Sequence, residues 1–279
     1  MTLAVPREFE SANAQTLARL QERHRRIIDA NADAFSDKTV LDLACNNGRW
    51  SYAALEAGAK KVVGVEGRAD KVTEARSIFE RLAKSSNYEF HVGDMYDWLH
   101  DNKSQHFDTV MCLGVFYHIM DHHRLLSSIA RLQPQTIIVD SGFVRSFRNS
   151  VHVQTEDPNQ HKNALPKYKD QAAEFAGFVS LGLMIQMSWN LGYNCRPVVW
   201  DPENIENKHS VQDYLMGRRF TVRLERTGSH ADSEWIEYWK KALVTLNGQF
   251  SLLFDRKTHD AMTDHRVRKP FESMDYSIM

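Results

Sequence analysis

The run Asp42-Leu43-Ala44-Cys45-Asn46-Asn47-Gly48 concentrates residues that let a backbone turn tightly beside a ligand. Gly48 has no Cβ and adopts positive φ at no steric cost, Asn46 is among the few other residues that do so cheaply, and Ala44 is nearly as small as glycine. Where a strand ends and a helix begins at once, the small residues let a ligand come close to the backbone and the helix N-terminus. Eighteen residues after Gly48 stands Glu66. An acid at the end of the next strand can accept hydrogen bonds from both hydroxyls of a ribose; the alternative is a solvated carboxylate.

Other residues have the right types for chemistry. His118, in Leu113-Gly114-Val115-Phe116-Tyr117-His118, belongs near the C-terminal edge of a sheet and is the candidate general base, with a packing or helix-capping role as its alternative. Phe116, Tyr117 and Trp50 can floor an acceptor pocket or simply pack. Asp121, His122 and His123 include metal-ligand types, but adjacent helical histidines point about 100° apart, so no metal is expected. Arg23, Arg25 and Arg26 can clamp a carboxylate, the competing reading being a wet helix face. Cys45, Cys112 and Cys195 have no C-x-x-C spacing; Cys45 and Cys112 read as inert residues of core strands.

Elements of two periodicities position these residues. Residues 8–34 read as an amphipathic helix with Leu17, Leu20, Ile27 and Ile28 on its apolar stripe. Strands are predicted over 39–45, 61–66, 88–92, 107–113 and 136–140, and helices over about 49–57, 70–82 and 121–132, the last helped to its end by Pro134. Residues 143–175 read as a long polar loop. A helix over 181–191 follows, closed by Gly192, then strands over 194–200 and 218–224 that pair antiparallel at the sheet edge. A further helix is predicted over 232–246. The alternation implies an α/β chain with a Rossmann-like, doubly wound, mostly parallel seven-stranded sheet and an antiparallel edge strand.

The run VLDLACNNGRWSYAALEAGAKKVVGVEGR resembles the first two motifs of the class I S-adenosylmethionine-dependent methyltransferases. Gly93-Asp94-Met95 is similar to that family's adenine-binding acidic turn, and FDTVMCLGVFYHIMD to its fourth motif. The resemblance covers about residues 36–226. It departs from the family's G-x-G-x-G, with Ala44, Asn46 and Gly48 at those places. It implies S-adenosyl-L-methionine as cofactor: Asp42 and the backbone around Ala44, Asn46 and Gly48 at the methionine portion, Glu66 at the ribose, and Asp94 with the Met95 amide at the adenine. Arg68 flanks the adenine or is an exposed cation. Gly67, Leu113 and Gly114 complete the implied cofactor set. A dinucleotide site would want G-x-G-x-x-G, which this chain lacks.

The organisation implied is an N-terminal helical lid over 1–35, a cofactor-binding domain over 36–226 with a substrate-covering insertion at 143–175, and a C-terminal helix and tail over 227–279. Thirty-five basic against thirty-six acidic residues give a net charge of −1, so no overall field selects a polyanion or a membrane. The absence of a long apolar run and the unpaired cysteines point to a reducing cytoplasm, with no membrane partner. The leading expectation is methyl transfer to an oxygen or nitrogen of a small-molecule acceptor. MCLGVFYH is also similar to the tRNA wobble-uridine carboxymethyl transferases, so tRNA stays open as an acceptor, and the basic tail around Arg256, Lys257, Arg266, Arg268 and Lys269 is where it would bind. A cofactor-binding protein without turnover is the third reading, and a homodimer is compatible with all three.

Overall fold

The computed structural model describes residues 6–9, 16–82, 86–146, 148–159, 171–200 and 202–227. The helix expected over 232–246 and the basic tail lie outside them. Strands β1 (Thr39–Leu43), β2 (Lys61–Glu66), β3 (Tyr88–Val92), β4 (Thr109–Leu113) and β5 (Thr136–Gly142) are followed by β6 (Val151–Glu156), β7 (Glu174–Val179), β8 (Tyr193–Pro197) and β9 (Arg219–Arg226). Helices are α1 (Leu17–Ile27), α2 (Arg49–Glu56), α3 (Ala69–Leu82), α4 (Met95–Asp101), α5 (His122–Arg131), α6 (Leu181–Asn190) and α7 (Gln212–Leu215). The main sheet has the order β3-β2-β1-β4-β5-β9-β8. β1 to β5 are parallel, and β9 runs antiparallel to both β5 and β8, which closes the edge.

Both faces of this sheet are covered, which is why its strands read as nearly continuous apolar runs. Val40, Val62, Met111 and Ile138 pack on one side with Trp50, Ala53, Ala54, Ile27 and Phe35. Leu41, Leu43, Val63, Val65, Val110, Cys112, Ile137 and Val139 pack on the other with Leu125, Ile129 and Met184. The side-chain alternation of a strand therefore places Asp42 on the face covered by α2.

Three expectations need correction. The N-terminal helix is shorter than 8–34: α1 starts at Leu17, capped by Thr16, whose side chain accepts from the Arg19 amide, and a 3-10 stretch over Asp29–Ala34 replaces its end, broken at Asn31. The chain over 143–175 is not a bare loop. β6 pairs antiparallel with β7 in a second, two-stranded sheet, and the six side chains of β6 have no buried member, so no hydrophobic face announced it. The chain between β3 and β4 holds α4, a helix beyond those expected; Asp94 caps it by accepting from the Tyr96 amide at 2.7 Å. No described helix is long and apolar enough to cross a membrane.

Candidate functional site

The turn after β1 is built from left-handed residues. Ala44, Asn46 and Gly48 have φ of +56°, +54° and +77°, so the backbone path of a glycine-rich turn is kept with one glycine. At Gly48 the packing also forbids a side chain: a Cβ there would lie 2.9 Å from Phe79 and 3.0 Å from Phe90. The Asn46 side chain stabilises the turn locally, its Oδ1 accepting from the Asn47 amide at 2.8 Å.

Glu66 ends β2 beside this turn, where only 5% of its surface is exposed. Its Oε2 accepts from the Asn46 amide at 2.9 Å, and Oε1 accepts from the Arg68 amide at 3.1 Å and from Arg68 Nε at 2.9 Å. Three donors fix the carboxylate; Oε1 is taken up by the two Arg68 bonds, and Oε2 keeps one acceptor site. Arg68 is thus folded onto Glu66 rather than exposed in solvent, and Gly67 is the link between them. Gly93 N–H donates to the Glu66 carbonyl at 3.0 Å, which brings Asp94 and Met95 to the next strand end along.

Asp42 is buried at the floor of the turn, its Oδ2 accepting from Ser51 Oγ at 2.7 Å. Burial pushes its carboxyl up to about 7, and the nearby Glu66 charge adds to the rise. On the other side of β1, Leu113 ends β4 and Gly114, at φ +102°, donates to the Asp140 carbonyl at 2.8 Å. Asp42, Ala44, Asn46, Gly48, Glu66, Gly67, Arg68, Asp94, Met95, Leu113 and Gly114 therefore line the C-terminal ends of four adjacent strands.

His118 lies farther along, in the 3-10 turn Phe116–His118. Its Nδ1 pairs with Glu156 Oε2 at 2.7 Å, and the Tyr117 ring stacks on Phe178 with 5.5 Å between centroids. The candidate floor of Phe116 divides: Phe116 is wholly buried and packs against His122. His122 Nε2 meets the Gly177 carbonyl at 2.9 Å, burial lowering the ring's affinity for a proton, whereas the carbonyl of exposed His123 accepts from Ser127 on its own helix. Cys45, Cys112 and Cys195 are buried thiols, raised by burial.

Sequence reasoning missed the carboxylate partner Glu156 and a buried ionic cluster at the end of β5. Asp140 accepts from Arg23 at 3.0 Å, Arg219 Nε at 2.6 Å, Tyr214 at 2.7 Å and Thr221 at 2.7 Å. Burial alone would raise its carboxyl, but Arg219 and Arg23 outweigh that and hold it down at about 2. Arg23 is therefore not on a wet helix face; it is 3% exposed and lies 4.8 Å from the Trp50 ring centre. Arg25 pairs with Glu206 at 2.9 Å, and Arg26 donates to the Asn204 carbonyl at 3.1 Å. Arg23 Nε also donates to the Tyr214 hydroxyl, 191 residues away, and the signal available was only an acid at the end of a buried strand.

A family model described as a methyltransferase domain matches residues 34–184. The chain belongs to that methyltransferase family. Over 123 residues it is 32% identical to the tRNA U34 carboxymethyltransferase of Helicobacter pylori strain G27, a match that covers 40% of this chain and 45% of that protein. The matched part is thus less than half the length of these curated relatives. Among solved structures, the N-terminal domain of EvdMO1 with SAH bound superposes with a TM-score of 0.55 at 19% identity, covering 74% of this chain and 80% of that one. The magnesium protoporphyrin IX methyltransferase of Synechocystis PCC 6803 with bound SAM gives 0.51 at 17% identity, with coverage of 79% and 88%. At these identities the likeness is one of fold, and the fold is the Rossmann-like one of class I S-adenosylmethionine-dependent methyltransferases.

Proposed function

We propose that this methyltransferase binds S-adenosylmethionine across the C-terminal ends of β1 to β4 and methylates an oxygen or nitrogen whose proton His118 removes. The observation that carries the reading is the left-handed run at Ala44, Asn46 and Gly48, tied by the Asn46 amide to a buried carboxylate on the neighbouring strand. The residues present fit the cofactor. Glu66 Oε2 keeps an acceptor site for a ribose hydroxyl, Asp94 and Met95 stand one strand farther for the adenine, and the turn around Ala44 leaves backbone near the methionine portion. When bound, the sulfonium supplies an already activated methyl group, so the protein's work is alignment, exclusion of water and removal of one proton. An acceptor hydroxyl or protonated amine would give that proton to the His118 imidazole.

A specific feature supports a second reading, carboxymethyl transfer to a tRNA uridine as named for the Helicobacter relative. Arg23 and Arg219 share the single carboxylate of Asp140, and the Arg219 guanidinium lies 5.5 Å from the Tyr117 ring centre. Arg49, brought down to about 10 by burial and by Arg23, is a further cation near Arg23, with Glu74 and Asp42 as its acids. A transferred group that carries its own carboxylate would be stabilised by this positive excess.

Calorimetry with S-adenosylhomocysteine tests the cofactor site. Glu66→Ala should weaken binding by about 1–3 kcal/mol, the cost of leaving a ribose hydroxyl without its acceptor; undiminished affinity would remove Glu66 from the site. Transfer of label from S-adenosylmethionine into metabolite extracts or into bulk tRNA separates the acceptor classes, and affinity for tRNA would fall steeply with salt.

A further inference from the structure

We infer that Glu156 is the positioning residue of this enzyme, holding His118 in the tautomer and orientation that leave Nε2 free to take the acceptor's proton. The inference rests on the reading of His118 as the base. The carboxylate Oε2 is 2.7 Å from Nδ1, and a carboxylate at that distance accepts only if Nδ1 carries the proton. The neutral ring then has its lone pair on Nε2. About a fifth of each side chain is exposed, 21% for His118 and 17% for Glu156, so the pair is accessible to an acceptor yet partly removed from water.

The hairpin that brings Glu156 here is anchored on both sides of His118. Gly177 N–H donates to the Ile119 carbonyl at 3.1 Å, and the Gly177 carbonyl meets His122 Nε2 at 2.9 Å. The register pairs His152 with Phe178, Gln154 with Ala176 and Glu156 with Glu174, so Glu156 shares a face with Phe178. Phe178 in turn stacks on Tyr117 and covers Gly142, where a Cβ would come within 2.5 Å of its ring. The two-stranded sheet, with β6 exposed, thus has the contact of Glu156 with His118 fixed by neighbours on either side. Among the described residues, titratable and charged groups that face the pair include Glu174 opposite Glu156, His152 on the same face of β6, Tyr117 beside His118 and Arg219 over the Tyr117 ring.

In the step served by this pair, the acceptor's O–H or N–H bond breaks and an Nε2–H bond forms. Glu156 keeps its negative charge and stabilises the imidazolium, with no proton passing to the carboxylate.

Long-range proton–nitrogen spectra of the ¹⁵N-labelled full chain, recorded at alkaline pH and assigned with His118→Gln, test the inference without an acceptor. The wild-type ring should carry its proton on Nδ1, and Glu156→Ala should shift it toward Nε2, the preference of free imidazole. Glu156→Gln, which keeps an acceptor oxygen at the same reach, should retain more of the Nδ1–H form and carries the comparison if the alanine variant does not fold. In labelled-cofactor transfer to bulk tRNA and to metabolite extract, Glu156→Ala should lower kcat by about tenfold to 10²-fold through misplacement of the base, with KM for S-adenosylmethionine within about twofold. A wild-type ring protonated on Nε2 overturns the inference, as does a tautomer or kcat indifferent to residue 156. If His118→Gln itself retains full turnover, the base reading fails and the positioning role with it; loss of turnover in that variant alongside a normal Glu156→Ala defeats the positioning role alone.

Discussion

Two buried aspartates stand at the C-terminal ends of strands in the same sheet, Asp42 on β1 and Asp140 on β5, exposed by 1% and 0%. Their surroundings drive them in opposite directions. Asp42 has a serine hydroxyl nine residues away and the like charge of Glu66 nearby, and burial lifts it to about 7. Asp140 is reached by Arg23 and Arg219 and is held at about 2. The cofactor half of the molecule is therefore put together from local contacts and keeps a carboxyl without a bonded cation. The other half is tied by long-range ionic contacts in which cations outnumber the acid.

The contrast between the halves is most vulnerable at Asp140. Asp140→Ala removes the acceptor shared by buried Arg23 and part-buried Arg219 and should destabilise the fold by about 3–5 kcal/mol, the usual cost of leaving a buried ion unpaired. Urea unfolding measures it, and a loss within about 0.5 kcal/mol would mean that water or another acid compensates. In the wild type, a carboxyl whose folded pKa is depressed stabilises at all pH above its unfolded value, and that contribution disappears as pH falls from about 4 toward 2.

Asp42 should show the opposite sign. Its folded pKa lies above the unfolded one, so the native state binds the extra proton; its favourable contribution is complete below about pH 4 and is lost as pH rises to about 7. Asp42→Asn keeps the shape and removes the titration. Relative to wild type the variant should gain on the order of 2–4 kcal/mol between pH 4 and pH 8, a range set by about 1.4 kcal/mol for each tenfold change in proton affinity and by incomplete desolvation in the native state. Parallel urea midpoints for the two proteins across that range would show Asp42 to be ionised at little cost.

The same contrast explains what could be read from the residues alone. β1, the turn, α2, β2 and Glu66 lie within one short stretch, and each follows from an apolar run, a small-residue turn or an acid at a fixed spacing. Their arrangement is local, so motif and geometry coincide. Glu156 escaped because β6 buries none of its side chains, although Val151 and Val153 alternate with His152 and Gln154 as a strand does. The Asp140 cluster escaped for another reason. It joins α1, β5, α7 and β9, whose meeting depends on β9 inserting between β5 and β8, a choice that no local pattern encodes. Arg23 consequently reads as one of three surface cations until the fold encloses it.

The mildest change lies in the turn itself. Ala44 has φ of +56°, a conformation that costs an L-residue about 1–2 kcal/mol. Glycine would relieve that cost but would lose more chain entropy on folding, about 0.5–1 kcal/mol relative to alanine. Ala44→Gly should therefore stabilise the protein by about 0.5–1 kcal/mol, whereas Ala44→Val, β-branched at positive φ, should destabilise it. Because the turn keeps its left-handed path in the glycine variant, affinity for S-adenosylhomocysteine should stay within about twofold of wild type. A glycine variant that is less stable, or a valine variant that is unchanged, would show that residue 44 is not held left-handed, and that the local half of the molecule departs from the path read in its sequence.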